Sequence, residues 1–147
     1  MKFSIFYYIL FCSIFCSNLE THKPVFTLKR TACYGKCPQY ELKVYANGLI
    51  NYEGKMFVEK IGCFQFSISK KKIDQLFNLI NEVNYFSFDG VYDAEVSDIP
   101  SIITVVNYQN KSHQIIDRFK GPKELEKLYK LIDSYIESND QWLVCDT

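Results

Sequence analysis

The stretch around Cys33 and Cys37 carries the residue types most able to do chemistry. The two cysteines lie four positions apart around Gly35, and Pro38 follows directly. Two thiols at this spacing could form a disulfide, exchange electrons or supply half of a metal site. Thioredoxin-like redox pairs are Cys-x-x-Cys at a helix start, whereas Pro38 disfavours the α conformation for Cys37. The pattern therefore favours a disulfide that closes a tight turn, in which Gly35 supplies the flexible backbone.

Two further cysteines, Cys63 and Cys145, are isolated in the sequence. A four-cysteine zinc site would normally show two closely spaced pairs. An iron–sulfur site of the C-x3-C-x2-C type would need a cysteine where Tyr40 stands. An even number of cysteines in an exported chain favours disulfides, so elimination predicts a second bridge between Cys63 and Cys145. We expect no metal and no cofactor.

Four carboxylates, Asp89, Asp93, Glu95 and Asp98, fall within ten residues of one another. Several oxygens on one flexible segment could bind calcium. The EF-hand arrangement is absent, because the acids do not alternate around a central glycine with a closing glutamate. The sequence favours a solvated connection whose turn is fixed by Asp98 and Pro100.

Catalytic constellations are hard to find in this chain. It has only two histidines, His22 in a polar spacer and His113 beside a predicted hairpin turn. No G-x-S-x-G elbow, H-E-x-x-H helix or phosphate-binding loop occurs. Nothing recommends a nucleophilic pair between Cys63 and His113. We therefore expect a protein that is not an enzyme.

The N-terminus has the pattern of an export signal. Lys2 precedes an apolar run over residues 3–15, too short for a comfortable membrane span. We predict a signal peptide over residues 1–17, a spacer over 18–23 and a single domain over 24–147. Cys16 is a candidate for lipidation, although the preceding Ser-Ile-Phe departs from the usual lipobox. A lipid there would be the only membrane attachment.

Charge and composition limit the partners. The chain has 17 basic and 17 acidic residues, with signs interspersed, and so lacks the basic stripe that nucleic-acid binding needs. Its 11 tyrosines and 12 phenylalanines favour β structure and a packed core over disorder. Removal of the leader leaves about 130 residues, enough for one domain.

Hydrophobic periodicity predicts an α+β fold. Alternation of apolar and polar residues predicts strands over 24–30, 40–44, 49–53, 56–58, 64–68, 102–108 and 114–119. Asn47-Gly48 favours a type I′ hairpin turn. Apolar residues at helical spacing predict amphipathic helices over 70–84, capped by Ser69, and from Gly121-Pro122 to 136. We predict an antiparallel sheet of hairpins with both helices on one face, in two layers.

With these residues in view, the chain resembles a family of small exported bacterial domains of unknown function. Its members carry a Cys-aromatic-Gly-x-Cys-Pro-x-Tyr signature, found here at residues 33–40, followed by an Asp/Asn-Gly hairpin, found here at Asn47-Gly48. Residues 52–58 and 91–101 are similar to later family segments. The resemblance covers most of residues 25–137 and implies export, often as a lipoprotein, without supplying an activity.

These observations predict an exported, non-catalytic binding module of the bacterial envelope, periplasmic, surface-bound or secreted. The partner is expected to be a protein or another envelope component. The candidate binding surface combines Tyr34 and Tyr40 with the acidic loop of Asp89, Asp93, Glu95 and Asp98. Two alternatives remain open at this point: a thiol–disulfide oxidoreductase that uses Cys33 and Cys37, and a small inhibitor of secreted hydrolases.

Overall fold

The structure is a computed structural model that describes residues 23–145. Its strands are β1 Phe26–Arg30, β2 Gln39–Val44, β3 Leu49–Met56, β4 Gly62–Ser67, β5 Val91–Tyr92, β6 Ile102–Tyr108, β7 Lys111–Asp117 and β8 Leu143–Val144, and its α-helices are α1 Lys70–Glu82 and α2 Lys123–Glu137. The predicted signal peptide, Cys16, His22 and most of the predicted spacer lie outside the described residues.

The strands form one sheet in the order β5-β7-β6-β1-β2-β3-β4-β8. The α+β class is confirmed, but the prediction of a purely antiparallel sheet is wrong at one edge. There Val91 and Tyr92 pair in parallel with Ile116 and Asp117, so the sheet is mixed. This short strand lies inside the stretch that we predicted to be an acidic loop. Two residues carry no detectable periodicity, so only the long-range pairing reveals them.

The core lies on one face of the sheet. Alternate strand residues such as Leu28, Leu42 and Ile50 are buried, as the period of two requires. Buried residues of both helices belong to the same core, including Leu76 of α1 and Leu128 of α2. The predicted cap is present, since the side chain of Ser69 accepts a hydrogen bond from the Lys72 amide.

The turn between β2 and β3 differs from the predicted turn chemistry. Between β2 and β3, the Gly48 amide donates to the Tyr45 carbonyl, and Gly48 has a φ of +88°. Asn47 does not share this positive φ, so the turn is not the predicted type I′. Between β6 and β7, Gln109 and Asn110 both have positive φ, which is the signature of a type I′ turn.

Substitution of Gly48 by alanine is expected to destabilise the protein by about 1–2 kcal/mol. An added Cβ would be strained at this positive φ and would press on the backbone carbonyl of Ile68. Gly90→Ala is the matched control, because its Cβ would meet only the Gln114 carbonyl oxygen at 3.5 Å and its φ is not positive. Urea unfolding of both variants checks the prediction, and equal midpoints would contradict it.

Candidate functional site

The first candidate feature is the turn that joins β1 to β2. A disulfide links Cys33 and Cys37, whose Cα atoms are 5.8 Å apart. Tyr34 projects from this turn and is 92% exposed. Its amide donates to the Asp98 carbonyl at 3.1 Å, so the turn contacts the acidic loop. In the described chain β2 follows the pair and no helix begins there, so a helix terminus is not available to activate either thiol.

A polar network lies directly behind this turn. Arg30 at the end of β1 donates to the Tyr40 hydroxyl at 2.9 Å and to an Asp133 carboxylate oxygen at 2.7 Å. The Tyr40 hydroxyl donates to the other Asp133 oxygen at 2.7 Å. Every pair within the triad is therefore bonded. The network fixes the ends of two central strands to α2.

The predicted surface position of Tyr40 is corrected by the structure. Tyr40 is only 5% exposed, because it shares the inward face of β2 with Leu42 and Val44. Burial, together with the hydrogen bond to Asp133, raises the pKa of the Tyr40 hydroxyl well above its ordinary value. The phenol therefore remains a neutral donor, and its role is to hold the wall of the adjoining cleft.

That cleft has a volume of about 460 Å³, and we call it the Trp142 cleft. Its walls include three aromatic side chains, Tyr40, Tyr52 and Trp142, together with Asp133 and Glu137 of α2. The volume falls within the range of about 300–1,000 Å³ that is typical of small-ligand sites. The cleft therefore has the size of a site that receives a small molecule or one or two side chains of a partner.

Trp142 owes its position to the C-terminal segment. A disulfide joins Cys63 to Cys145, with Cα atoms 5.4 Å apart, and β8 pairs with β4. The Trp142 ring packs edge-on against Tyr52, at a centroid distance of 5.3 Å, and against Phe66, at 4.8 Å. Its indole N–H donates to the Asn139 carbonyl at 3.2 Å. The second disulfide thus holds the segment that supplies one wall of the cleft.

The rim of the Trp142 cleft is acidic. Glu59, Asp133, Glu137 and Asp140 line it, with Lys60 as the single basic side chain. Asp133 is neutralised by Arg30, and Glu59 lies 4.0 Å from the Lys60 ammonium. In residues 23–145, Glu137 and Asp140 form no ion pair. These two carboxylates give the cleft a local negative charge in an otherwise neutral chain.

A second, smaller cavity of about 310 Å³ lies on the other side of the disulfide turn. Its walls include Arg30, Cys37, Pro38, Asp117 and Arg118. Pro38 also lines the Trp142 cleft. The disulfide turn therefore contributes to two concave surfaces, one acidic and one with two arginines and an aspartate.

The acidic loop is held by contacts with Arg118, the residue after β7, and with the disulfide turn. Asp93 pairs with Arg118 at 3.5 Å, and Arg118 also donates to the Val96 carbonyl at 2.8 Å. The backbone carbonyl of Asp98 accepts the hydrogen bond from the Tyr34 amide of the disulfide turn. Asp89 and Glu95 are exposed, and neither has an ion pair to a described residue. Within the described range, no three acidic, histidine or cysteine side chains converge to hold a metal ion.

The Cys63–His113 pair, which nothing in the sequence recommends, gains no geometric support. His113 Nε2 lies 2.9 Å from the Phe88 carbonyl oxygen, and its ring packs against Tyr85. Cys63 is bonded to Cys145 and is therefore not a thiol. The histidine thus has structural partners, and the pair Cys63–His113 supplies no nucleophile.

Glu137, Asn139, Asp140 and Trp142 are site residues that sequence reasoning missed. Their stretch, residues 137–142, begins at the last residue of α2 and carries no motif. A signal was present in the single tryptophan of the chain beside two acids, but only the fold shows that this segment turns back onto β3 and β4.

Alkaline pH is expected to destabilise the fold through its buried tyrosines. Burial raises the pKa of Tyr135 from 10.0 to about 12, and it also raises the pKa values of Tyr40, Tyr85 and Tyr129. The unfolded chain ionises first, so the stabilisation is complete below pH 10.0 and is lost as the pH rises towards 12 and beyond. Urea unfolding across this window, without thiols, should show falling stability. Tyr135→Phe should flatten the decline, and constant stability would contradict the prediction.

The fold and the cleft define a disulfide-bonded α+β domain with a cavity of binding-site size. A family model described as domain of unknown function (DUF6438) matches residues 24–136. The chain therefore belongs to this family, which confirms the predicted membership of a family of unknown function. The match ends before Trp142 and Cys145. A search of curated proteins found no match.

Proposed function

We propose that this protein is an exported, non-catalytic binding domain of the bacterial envelope, and that its partner binds at the Trp142 cleft beside the disulfide turn. The observation that carries the proposal is the cleft itself, a cavity of about 460 Å³ with aromatic walls and an acidic rim. Aromatic walls with a few polar groups are typical of binding sites. Pro38 of the neighbouring turn also lines the cleft, and Tyr34 of the same turn is exposed.

Export is supported by the cysteine chemistry. Disulfides persist in oxidising compartments and are rare in the cytosol, and this domain has two of them. No helix within residues 23–145 combines the length and apolar character needed to cross a membrane. The predicted leader over residues 1–17 supplies the route, and lipidation of Cys16 would supply a tether. Intact mass measurement of the protein from its native host tests both points.

Rigidity of the surface favours binding over chemistry. The Cys33–Cys37 bridge closes the turn, and the network of Arg30, Tyr40 and Asp133 fixes its base to α2. In the proposed two-layer arrangement both helices cover one face of the sheet, so the cleft is built at the junction of the layers. A surface held in this way binds with little loss of conformational entropy.

The test is photo-crosslinking in the native host. A crosslinking amino acid is placed at Tyr34, at Asp140 beside the cleft, or at Glu124 on the exposed first turn of α2 as a control. The proposal expects one discrete partner to be captured from Tyr34 and Asp140, and none from Glu124. Identical capture from all three positions, or from none, would overturn it.

A second candidate is inhibition of secreted hydrolases. It is favoured by Tyr34, a 92% exposed side chain on a disulfide-closed turn, which is the kind of projection that can enter a substrate pocket. Under this candidate the crosslinked partner would be a hydrolase, its activity would fall on addition of the purified domain, and Tyr34→Ala would abolish the inhibition.

A further inference from the structure

The Trp142 cleft contains more acidic charge than its own basic residues neutralise. Asp133 and Glu59 have partners, whereas Glu137 and Asp140 have none in the described chain. Glu137 is the last residue of α2, and Asp140 follows three positions later. A helix C-terminus carries a partial negative charge of its own, so carboxylates there are unfavourable unless a cation is supplied. The last turn of α2 has no basic residue.

A second, independent observation is the cleft itself, a cavity of about 460 Å³ in which these carboxylates lie beside aromatic side chains. Its volume falls within the range of about 300–1,000 Å³ that is typical of small-ligand sites.

Aromatic rings supply the other half of a cation site. Tyr52, Phe57 and Trp142 form part of the wall, and Phe57 is half-exposed. Aromatic faces attract ammonium and guanidinium groups, most strongly where water is partly excluded. A purely apolar ligand would leave the two unpaired carboxylates without partners.

We infer that the Trp142 cleft binds a lysine or arginine side chain of a basic peptide segment, with Glu137 and Asp140 facing the cation and the aromatic rings packing against its aliphatic stem. This inference rests on the proposed function and names the chemistry of the partner. A small free amine would satisfy the carboxylates but would fill little of a cleft of about 460 Å³, whereas a peptide segment fits both features.

The chain provides its own reporter, because Trp142 is its only tryptophan and lines the cleft. The purified protein is titrated with blocked Gly-Lys-Gly and Gly-Arg-Gly peptides, with the matching norleucine peptide and with butylamine. Tryptophan emission and calorimetry are recorded together, so that binding without a spectral change is still detected. We expect binding of both basic peptides, weaker binding of butylamine, and none of the norleucine peptide.

Variants assign the contacts. Glu137→Gln and Asp140→Asn should each weaken peptide binding about 3-fold, and together about 10-fold, with the loss smaller at high salt. Glu124→Gln, on the exposed first turn of α2, is the matched control and should change nothing.

Equal binding of the norleucine and lysine peptides, or no binding of any basic peptide, would overturn the inference. Equal affinity for butylamine and for the lysine peptide would overturn the peptide assignment in favour of a free amine. Failure here is distinguishable from failure of the proposed function. If crosslinking at Asp140 still captures a discrete partner, the cleft is a binding site whose ligand is not basic.

Discussion

Replacing both Cys63 and Cys145 by serine is expected to destabilise the domain by about 4 kcal/mol, roughly twice the effect of replacing Cys33 and Cys37. In the chain-entropy model, the stabilisation grows with the length of chain that the bridge closes. The sequence separation is 82 for Cys63–Cys145 and only 4 for Cys33–Cys37. The structure adds a second reason, since β8 is held to the sheet by only two residue pairs.

Urea unfolding of the two double-serine variants measures this difference directly. The loss of Cys63–Cys145 should also change the emission of Trp142, because the segment that positions its ring is released. The Cys33–Cys37 double variant is the control and should keep native emission. A smaller loss of stability from the long bridge than from the short one would contradict the prediction, and would mean that the unfolded chain retains structure between residues 63 and 145.

Asp133→Ala is expected to destabilise the domain by about 2–3 kcal/mol, below the full value for a buried pair because the network is partly exposed. The side chains of Arg30 and Asp133 are 23% and 34% exposed. Removal of the carboxylate leaves the guanidinium without its counter-charge and the buried Tyr40 hydroxyl without its acceptor. Urea unfolding at neutral pH provides the measurement.

The matched control is Asp74→Ala, because Asp74 is also a helical aspartate with an ion pair. Its partner Lys70 is four residues away on the exposed face of α1, at 3.0 Å. Such exposed pairs contribute about 0.3–0.5 kcal/mol. A double-mutant cycle with Tyr40→Phe isolates the hydroxyl contact, and the two substitutions should be non-additive. Equal effects of Asp133→Ala and Asp74→Ala would show that the network does not stabilise the fold.

The helices and the longer strands could be predicted because their signals are local. The stripe of Leu125, Leu128, Tyr129 and Ile132 is buried in α2 as its spacing requires, and Ser69 caps α1. The burial of Tyr40 could also have been predicted from the sequence. Tyr40 is two and four residues before Leu42 and Val44, so the alternation that predicts the strand also places its ring on the buried face.

The Trp142 cleft could not be predicted in the same way. Its walls come from the start of β2, from β3 and the turn after it, from the second half of α2 and from the segment that follows α2. Local pattern predicts the β2–β3 hairpin, but it does not mark α2 and the C-terminal segment as neighbours of that hairpin, because their meeting depends on the strand order. The type I′ turn was predicted at Asn47-Gly48, but it occurs at Gln109-Asn110, the two residues between the paired Tyr108 and Lys111.

The long interval between Cys63 and Cys145 has a consequence for how the chain matures. Both partners of the first bridge, at positions 33 and 37, emerge together during synthesis or translocation and can pair at once. Cys63 emerges next and waits for 82 more residues, which takes about 4–16 s at ordinary elongation rates. In the first part of this interval β1 can pair only with β2, because its other neighbour in the sheet, β6, has not yet been made. An early, complete oxidation of the first pair therefore protects Cys63, because it leaves that thiol no wrong intramolecular partner among the described cysteines until the correct one arrives.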